Sequence, residues 1–228
     1  MLLEIIALTV ADARAAELGG ADRLEVISDM ASDGLTPAPD LVAAIRAAVG
    51  IPLRVMLRDR AGFTVDRYRL ADLVSMAKTL RAAGADEFVL GFLTDDGRVD
   101  LDATETLVGA LDGANWTFHR AIDHAGDAES AWPALCELPG LDFVLTAGSA
   151  AGLSDGLAVL AGRAGWQASG VRLIAGGGLR TEHIPELRAV GVTAFHAGGL
   201  VRPNWESPVE PERVRMLREL VDASAYPG

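Results

Sequence analysis

The sequence predicts a single (β/α)8 barrel of the TIM type. Eight short apolar runs alternate with stretches rich in Ala, Leu and Arg, and the last two runs each end in a glycine cluster. Regular alternation of strand and helix in one direction predicts a parallel sheet ringed by helices. The 228 residues, half of them hydrophobic, are enough for one such domain over 1–228.

Each strand is assigned from a short apolar run, and each helix from helical periodicity that often closes in glycine. The predicted strands are 2–8, 24–27, 53–57, 88–93, 116–118, 143–145, 173–175 and 194–197. The clearest predicted helices are 12–18, 39–49, 66–83 and a C-terminal helix at 209–223. The sixth helix, at 153–164, is the weakest because it contains Gly156 and Gly162.

Alternation within the strands predicts which side chains line the barrel interior. One parity is apolar and suits packing against the helices: Leu3, Ile5, Leu24, Val26, Val55, Leu57, Trp116, Phe118, Val144 and Phe195. The other parity is unusually polar: Glu4, Glu25, Arg54, Met56, Arg58, Thr117, His119 and His196. Because a buried unpaired charge costs several kcal/mol, the two glutamates should face arginine, histidine, a ligand or an ion.

The carboxyl ends of barrel strands carry the predicted catalytic residues. They are Glu25, Arg58, His119, Arg120 and Asp123. His119 suits general acid–base work near neutral pH, and a nearby carboxylate such as Asp123 would hold its tautomer. The alternatives are a mutually satisfied structural network for Glu4, Glu25, Arg58 and His119, a core role for His196, and a role for Asp123 in capping the fifth helix or turning the loop.

The glycine clusters after the seventh and eighth strands predict an anion site. Gly177, Gly178, Gly198 and Gly199 would offer backbone N–H donors where barrels commonly bind phosphate. The alternative is that these glycines only permit tight turns.

Composition argues against several classes of protein. The formal charge of −12 opposes nucleic-acid binding, and no stretch approaches the ~20 apolar residues of a membrane span, so a cytoplasmic protein is expected. The only lysine, Lys78, lies mid-helix, which argues against Schiff-base chemistry. The single cysteine, Cys136, is assigned to a helix as a small buried hydrophobe.

Six motifs in order resemble the CutC family, which is named for copper homeostasis. They are GGADRLE at 19–25, GLTP at 34–37, VMLR at 55–58, GFLTDDGRVD at 91–100, TFHRA at 117–121 and GGG at 176–178. The resemblance covers about residues 2–199 and implies a cytoplasmic TIM barrel, often oligomeric, linked to copper tolerance or copper binding. Two features depart from the family pattern: Ile27 stands where a proposed copper-binding thiol is common, and the loop 58–63 lacks the usual proline and glycine pair.

Two functions from different classes follow. The first is a copper homeostasis protein, with His119, His196, Glu25 and Glu4 as candidate metal ligands, although Cu(I) prefers sulfur. The alternative is an isomerase, lyase or hydrolase that acts on a phosphorylated or otherwise anionic substrate at the C-terminal mouth of the barrel. A third interpretation is an inert scaffold for protein partners, which rests on the loop around Trp205. This loop is either an interface anchor or a lid over the pocket, and a homo-oligomer is expected.

Overall fold

In the computed structural model, eight parallel strands close into a barrel in the order β1 to β8. The structure describes residues 1–223, without the side chains of residues 164, 168 and 169. Residues 224–228, the end of the predicted domain, lie outside the described residues. Each strand pairs with the next along the chain, and β8 pairs with β1, so the fold prediction is confirmed.

The elements follow one another in strict strand and helix alternation. The strands are β1 Leu2–Ala7, β2 Arg23–Val26, β3 Leu53–Met56, β4 Glu87–Leu90, β5 Trp116–Phe118, β6 Leu141–Thr146, β7 Arg172–Ala175 and β8 Ala194–Ala197. The helices are α1 Val10–Leu18, α2 Pro39–Arg46, α3 Arg67–Ala82, α4 Leu101–Val108, α5 Ala128–Cys136, α6 Leu153–Gly162, α7 His183–Ala189 and α8 Pro211–Asp222. Short 3-10 turns lie at Met30–Ser32, Arg120–His124, Arg163–Ser169 and Gly199–Val201.

Local chemistry sets where the predicted helices begin and end. Asp66, predicted as the first residue of the third helix, caps it instead, because its side chain accepts the N–H groups of Tyr68 and Arg69. The weak sixth helix exists, but it ends at Gly162 and continues as the 3-10 turn Arg163–Ser169. Glycine lowers helix propensity there, and the tighter turn completes the connection to β7.

The apolar parity of the strands packs against the helices, as alternation predicts. All ten of its predicted members are buried in one large cluster shared with helix residues. The interior contains two smaller apolar clusters. One is formed by Ile6, Ile27, Met56 and Val89, and the other by Phe143, Leu145, Ile174 and Ala194.

An ion-pair network fills the N-terminal end of the barrel. Arg54 is fully buried, and its guanidinium contacts Glu87 at 2.7 Å, Asp142 at 2.8 Å and the hydroxyl of Thr117. Arg23 joins the same network through Glu87 at 3.3 Å. Phe143 lies against these cations, because the guanidinium groups of Arg23, Arg54 and Arg172 lie 4.7, 5.5 and 4.1 Å from its ring centre.

Sequence reasoning placed Arg54 and Thr117 inside the barrel but missed Arg23, Glu87 and Asp142. Arg23 lies two residues before Glu25 on β2 and therefore shares its inward parity, a signal that was present in the sequence. These paired side chains fill the N-terminal half of the barrel interior, and this packed layer is the closed floor of the barrel.

Within residues 1–223, no helix has both the length and the apolar character needed to cross a membrane.

Candidate functional site

A cavity of about 620 Å³ opens at the C-terminal ends of the strands. Its volume lies within the range of small-molecule sites, and its position is where barrel enzymes assemble their chemistry. Most of the predicted site residues line it: Glu25, Arg58, His119, Arg120, Gly177, Gly178, His196, Gly198 and Gly199. Glu4 lies deeper in the barrel and reaches the cavity only through His196.

Glu4, His196 and Glu25 form a buried row at the bottom of the cavity. His196 Nδ1 lies 2.8 Å from Glu4 Oε1, and its Nε2 lies 3.6 Å from Glu25 Oε2. Glu4 is held from the other side by Arg23 at 2.6 Å. Gly176 makes room for the imidazole, since a Cβ at that position would lie 2.9 Å from His196 Cδ2.

The charges along this row differ because their surroundings differ. Burial opposes ionisation of Glu4, but the Arg23 guanidinium and His196 hold its pKa well below the usual range. Burial also opposes the His196 charge, yet Glu25 and Glu4 raise the pKa of His196 above its ordinary value. Burial raises the pKa of Glu25 to about 7, with the Glu4 charge adding to the effect. The Glu25 carboxyl therefore changes charge near neutral pH.

Two polar atoms in the cavity wall are buried without a hydrogen-bond partner among the described residues. They are Glu25 Oε1 and His119 Nε2. Buried polar atoms are nearly always hydrogen-bonded to protein or ordered water, so these two atoms are candidates to bond a water or a ligand in the cavity.

Arg58 performs a different task from the one expected at sequence level. Its Nη1 donates to the carbonyl oxygens of Ser32, Asp33 and Gly34 at 2.9, 3.2 and 3.1 Å, and its Nε donates to Gly62 O at 3.0 Å. Arg58 thus ties the loop after β2 to the loop after β3, and it does not pair with Glu4 or Glu25. Arg58 also lines the cavity, so its contact with a ligand stays a prediction.

Asp123 and Arg120 organise the turn after β6. The Asp123 carboxylate is fully buried and accepts the N–H groups of Ala147 at 2.8 Å and Gly148 at 3.1 Å. Arg120 pairs with Asp123 at 3.1 Å and donates to the carbonyl of Ser149 at 3.2 Å. Asp123 is not among the described cavity-lining residues, so it supports the loop that borders the site, whereas Arg120 reaches the cavity itself.

The predicted anion site forms one side of the cavity mouth. Gly177 and Gly178 both have φ of +83°, a conformation that favours glycine. A Cβ at Gly177 would lie 2.5 Å from Arg120 Nε, so this glycine also permits close approach of the arginine. A Cβ at Gly199 meets no atom within 4 Å, so this position borders open space.

Several cavity residues are not among those predicted from the sequence. Met30, Asp33, Phe63, His124 and Arg180 come from loops, and their side chains reach the cavity only because of loop conformation. Trp205, whose loop was singled out, lines the cavity with 38% of its surface exposed. Its ring edge lies against Gly198, where a Cβ would be 2.3 Å from Trp205 Cη2.

The metal candidates are judged by their donor chemistry. Ligand atoms of Glu4, Glu25 and His196 lie within 4.8 Å of one another, and His119 is not part of this group among the described residues. The group offers nitrogen and oxygen without sulfur, and Glu4 is already held by Arg23. Cu(I), the ion that the resemblance implies, prefers thiolate and thioether sulfur. This group therefore does not fit Cu(I), and Cys136 lies on α5, packed against the helix-side core.

Comparison with known proteins shows the family. The sequence matches the CutC family over residues 1–200. A CutC family protein of Xanthomonas axonopodis pv. citri is 34% identical over 212 residues, covering 91% of this chain and 88% of the relative. One from Agrobacterium fabrum is 35% identical over 208 residues, covering 90% and 82%.

Solved structures share the fold. A Streptococcus agalactiae CutC protein, described provisionally as a copper homeostasis protein, superposes with a TM-score of 0.80 at 24% identity and covers 87% of this chain and 98% of that one. Phosphoribosyl anthranilate isomerase from Thermus thermophilus gives 0.62 at 18% identity and covers 97% and 98%. By the extent and identity of its sequence matches, the chain belongs to the CutC family.

Proposed function

We propose that this protein is an acid–base enzyme that acts on a small anionic molecule in the cavity at the C-terminal mouth of the barrel. The observation that carries the proposal is Glu25, a buried carboxyl that lines the cavity and whose Oε1 lacks a partner among the described residues. A carboxyl that titrates near neutral pH in such a place suits proton transfer to and from a bound substrate.

Charge at the mouth supports an anionic substrate. The chain carries a formal charge of −12, yet Arg58, Arg120 and Arg180 all line this one cavity. The glycine backbone of the β7 and β8 loops lies at the same mouth. Guanidinium groups and backbone N–H donors are the usual partners of phosphate and carboxylate.

Exchange of carbon-bound hydrogen for solvent deuterium tests the proposal on a panel of small anionic compounds. The wild-type protein is incubated in D2O with phosphorylated and carboxylated aldehydes, ketones and hydroxy acids, and deuterium uptake is followed by proton NMR. We expect at least one compound to exchange, at a rate that rises as the pH passes through about 7. Absence of exchange across the panel, or equal exchange by Glu25→Gln, would contradict the proposal.

Gly199→Ala tests the anion site. Because a Cβ there enters open space at the mouth, the variant should fold normally and crowd an anion bound to the neighbouring N–H groups. We expect inorganic phosphate to bind about tenfold more weakly, equivalent to ~1.4 kcal/mol, as measured by calorimetry.

Gly165→Ala is the matched control. Gly165 also lies in a 3-10 turn with open space at its Cβ, and it does not line the described cavity. If phosphate binds the two variants with equal affinity, the anion site lies elsewhere in the protein. Gly177→Val is a poorer test, because its side chain would displace Arg120.

A further inference from the structure

His119 is held in a single orientation by its own backbone turn. Its Nδ1 accepts the N–H of Ala121 at 3.2 Å, so the ring caps the 3-10 turn Arg120–His124. Phe63 packs against the ring edge-on with centroids 5.4 Å apart. Gly91 permits this position, since a Cβ there would lie 2.8 Å from Nδ1.

This contact determines which nitrogen carries the proton. Nδ1 accepts a hydrogen bond and therefore presents its lone pair, so the neutral ring carries its proton on Nε2. Protonation of Nδ1 would place two N–H donors against each other. Burial and the nearby Arg58 guanidinium act in the same direction and lower the pKa of His119 to about 3.

His119 lines the cavity, and its Nε2 atom is buried. The residue is only 4% exposed, and Nε2 has no acceptor among the described residues. His119, directly after β5, and Glu25 on β2 line the same cavity from positions three strands apart in the barrel. A substrate between them would meet a neutral donor on one side and a carboxylate on the other.

We infer that the substrate is a carbonyl compound, whose oxygen accepts the His119 Nε2–H bond while Glu25 removes a proton from the adjacent carbon. This inference rests on the proposed function. The C–H electron pair becomes the carbon–carbon double bond of an enediolate or enolate, and the carbonyl π pair moves to the oxygen. A neutral imidazole N–H can stabilise that oxygen without transferring its proton.

The second half of the reaction returns the same proton. Glu25 delivers it to the original carbon or, when the original carbon bears a hydroxyl group, to the former carbonyl carbon, and the second outcome is an isomerisation. In the isomerisation, the hydroxyl proton passes between the two substrate oxygens. No oxidant, reductant or second substrate is needed, so the atoms and electrons balance within one molecule.

The state of the His119 ring is tested independently of activity. The chain has four histidines, so imidazole nitrogen NMR of uniformly labelled protein resolves each ring, with single substitutions for assignment. We expect His119 to remain neutral with its proton on Nε2 from about pH 5 to pH 8. A ring that titrates within this range, or carries its proton on Nδ1, would overturn the inference.

Two substitutions test the role of the donor in D2O exchange. His119→Gln keeps an N–H donor near the position of Nε2, whereas His119→Leu removes it. For carbonyl compounds, we expect exchange to fall ~100-fold or more in the leucine variant and about tenfold or less in the glutamine variant, in line with loss of a single oxyanion donor.

The outcomes separate the inference from the proposed function. Equal exchange by wild type and His119→Leu, with loss in Glu25→Gln, would overturn the inference and leave the proposed function standing. Exchange only of compounds without a carbonyl group would do the same. Failure of the wild type to exchange any compound would contradict both. Thermal unfolding of each variant shows whether the comparison is between folded proteins.

Discussion

Glu25→Gln is expected to slow deuterium exchange strongly and at the same time to stabilise the protein above pH 7. The exchange rate should fall ~100- to 10,000-fold, because the amide cannot accept or donate the proton that general acid–base catalysis moves. The variant keeps the size of the side chain and places no charge at the bottom of the cavity.

The stability gain follows from the raised pKa of Glu25. The carboxyl titrates near 4.5 in the unfolded chain and near 7 in the folded protein. Between these pH values the folded protein binds a proton that the unfolded chain has released, so wild-type stability falls as the pH rises from 4.5 to about 7. Glutamine does not ionise, so Glu25→Gln does not lose stability in this way. The difference in melting temperature between the variant and the wild type should grow from pH 4.5 to about 7 and then remain constant.

Glu4→Gln is the matched control, since it makes the same chemical change on the neighbouring strand. The pKa of Glu4 is lowered, so its carboxylate stabilises the fold at neutral pH and loses that contribution only in acid. Removing its charge leaves Arg23 and His196 without their shared partner, and the variant should melt below the wild type. A melting temperature that falls in Glu25→Gln as well would contradict the assigned charge state of Glu25.

Arg54→Met is expected to lower the free energy of unfolding by about 3 kcal/mol. Removing one member of a buried ion pair typically costs ~3–5 kcal/mol, because the remaining charge is left uncompensated. The lower end applies because the partner side chains are partly exposed, 19% for Glu87 and 27% for Asp142. Glu87 also keeps its contact with Arg23.

Urea unfolding at neutral pH measures this effect, with Arg54→Lys as the comparison. Lysine retains the charge but cannot contact both oxygens of Asp142, as the two guanidinium nitrogens do at 2.8 and 2.9 Å. We expect the lysine variant to lie between the wild type and Arg54→Met. A loss below ~1 kcal/mol in Arg54→Met would mean that the network contributes little net stability.

Strand alternation and glycine position predicted the barrel and part of the cavity wall. Side chains along a strand alternate between its two faces, so Glu25, His119 and His196 could be assigned to the barrel interior from the sequence. Side-chain pairing could not be read in the same way. Arg58 donates to backbone carbonyl groups because of the conformation of the loop that contains Asp29 and Asp33. Both of these residues are in left-handed conformations, with φ of 43° and 58°.

The same limit explains why the His119 tautomer escaped prediction. A carboxylate such as Asp123 was expected to orient the ring, because nearby acids often do. The ring instead accepts a backbone N–H two residues further along the chain, a contact created when the residues after β5 enter a 3-10 turn. Turns of this length have few sequence requirements, so their hydrogen bonds are known only from the folded chain.

The closed floor of the barrel has a kinetic consequence. The arginine and carboxylate network and the cluster around Phe143 fill the N-terminal half of the interior, so the cavity is a dead end. Whatever is formed there leaves by the opening through which the next molecule arrives, past Trp205 and the glycine loops. Under the proposed function, product and substrate would compete for this one cavity, so we expect product to inhibit competitively and excess substrate to overcome the inhibition.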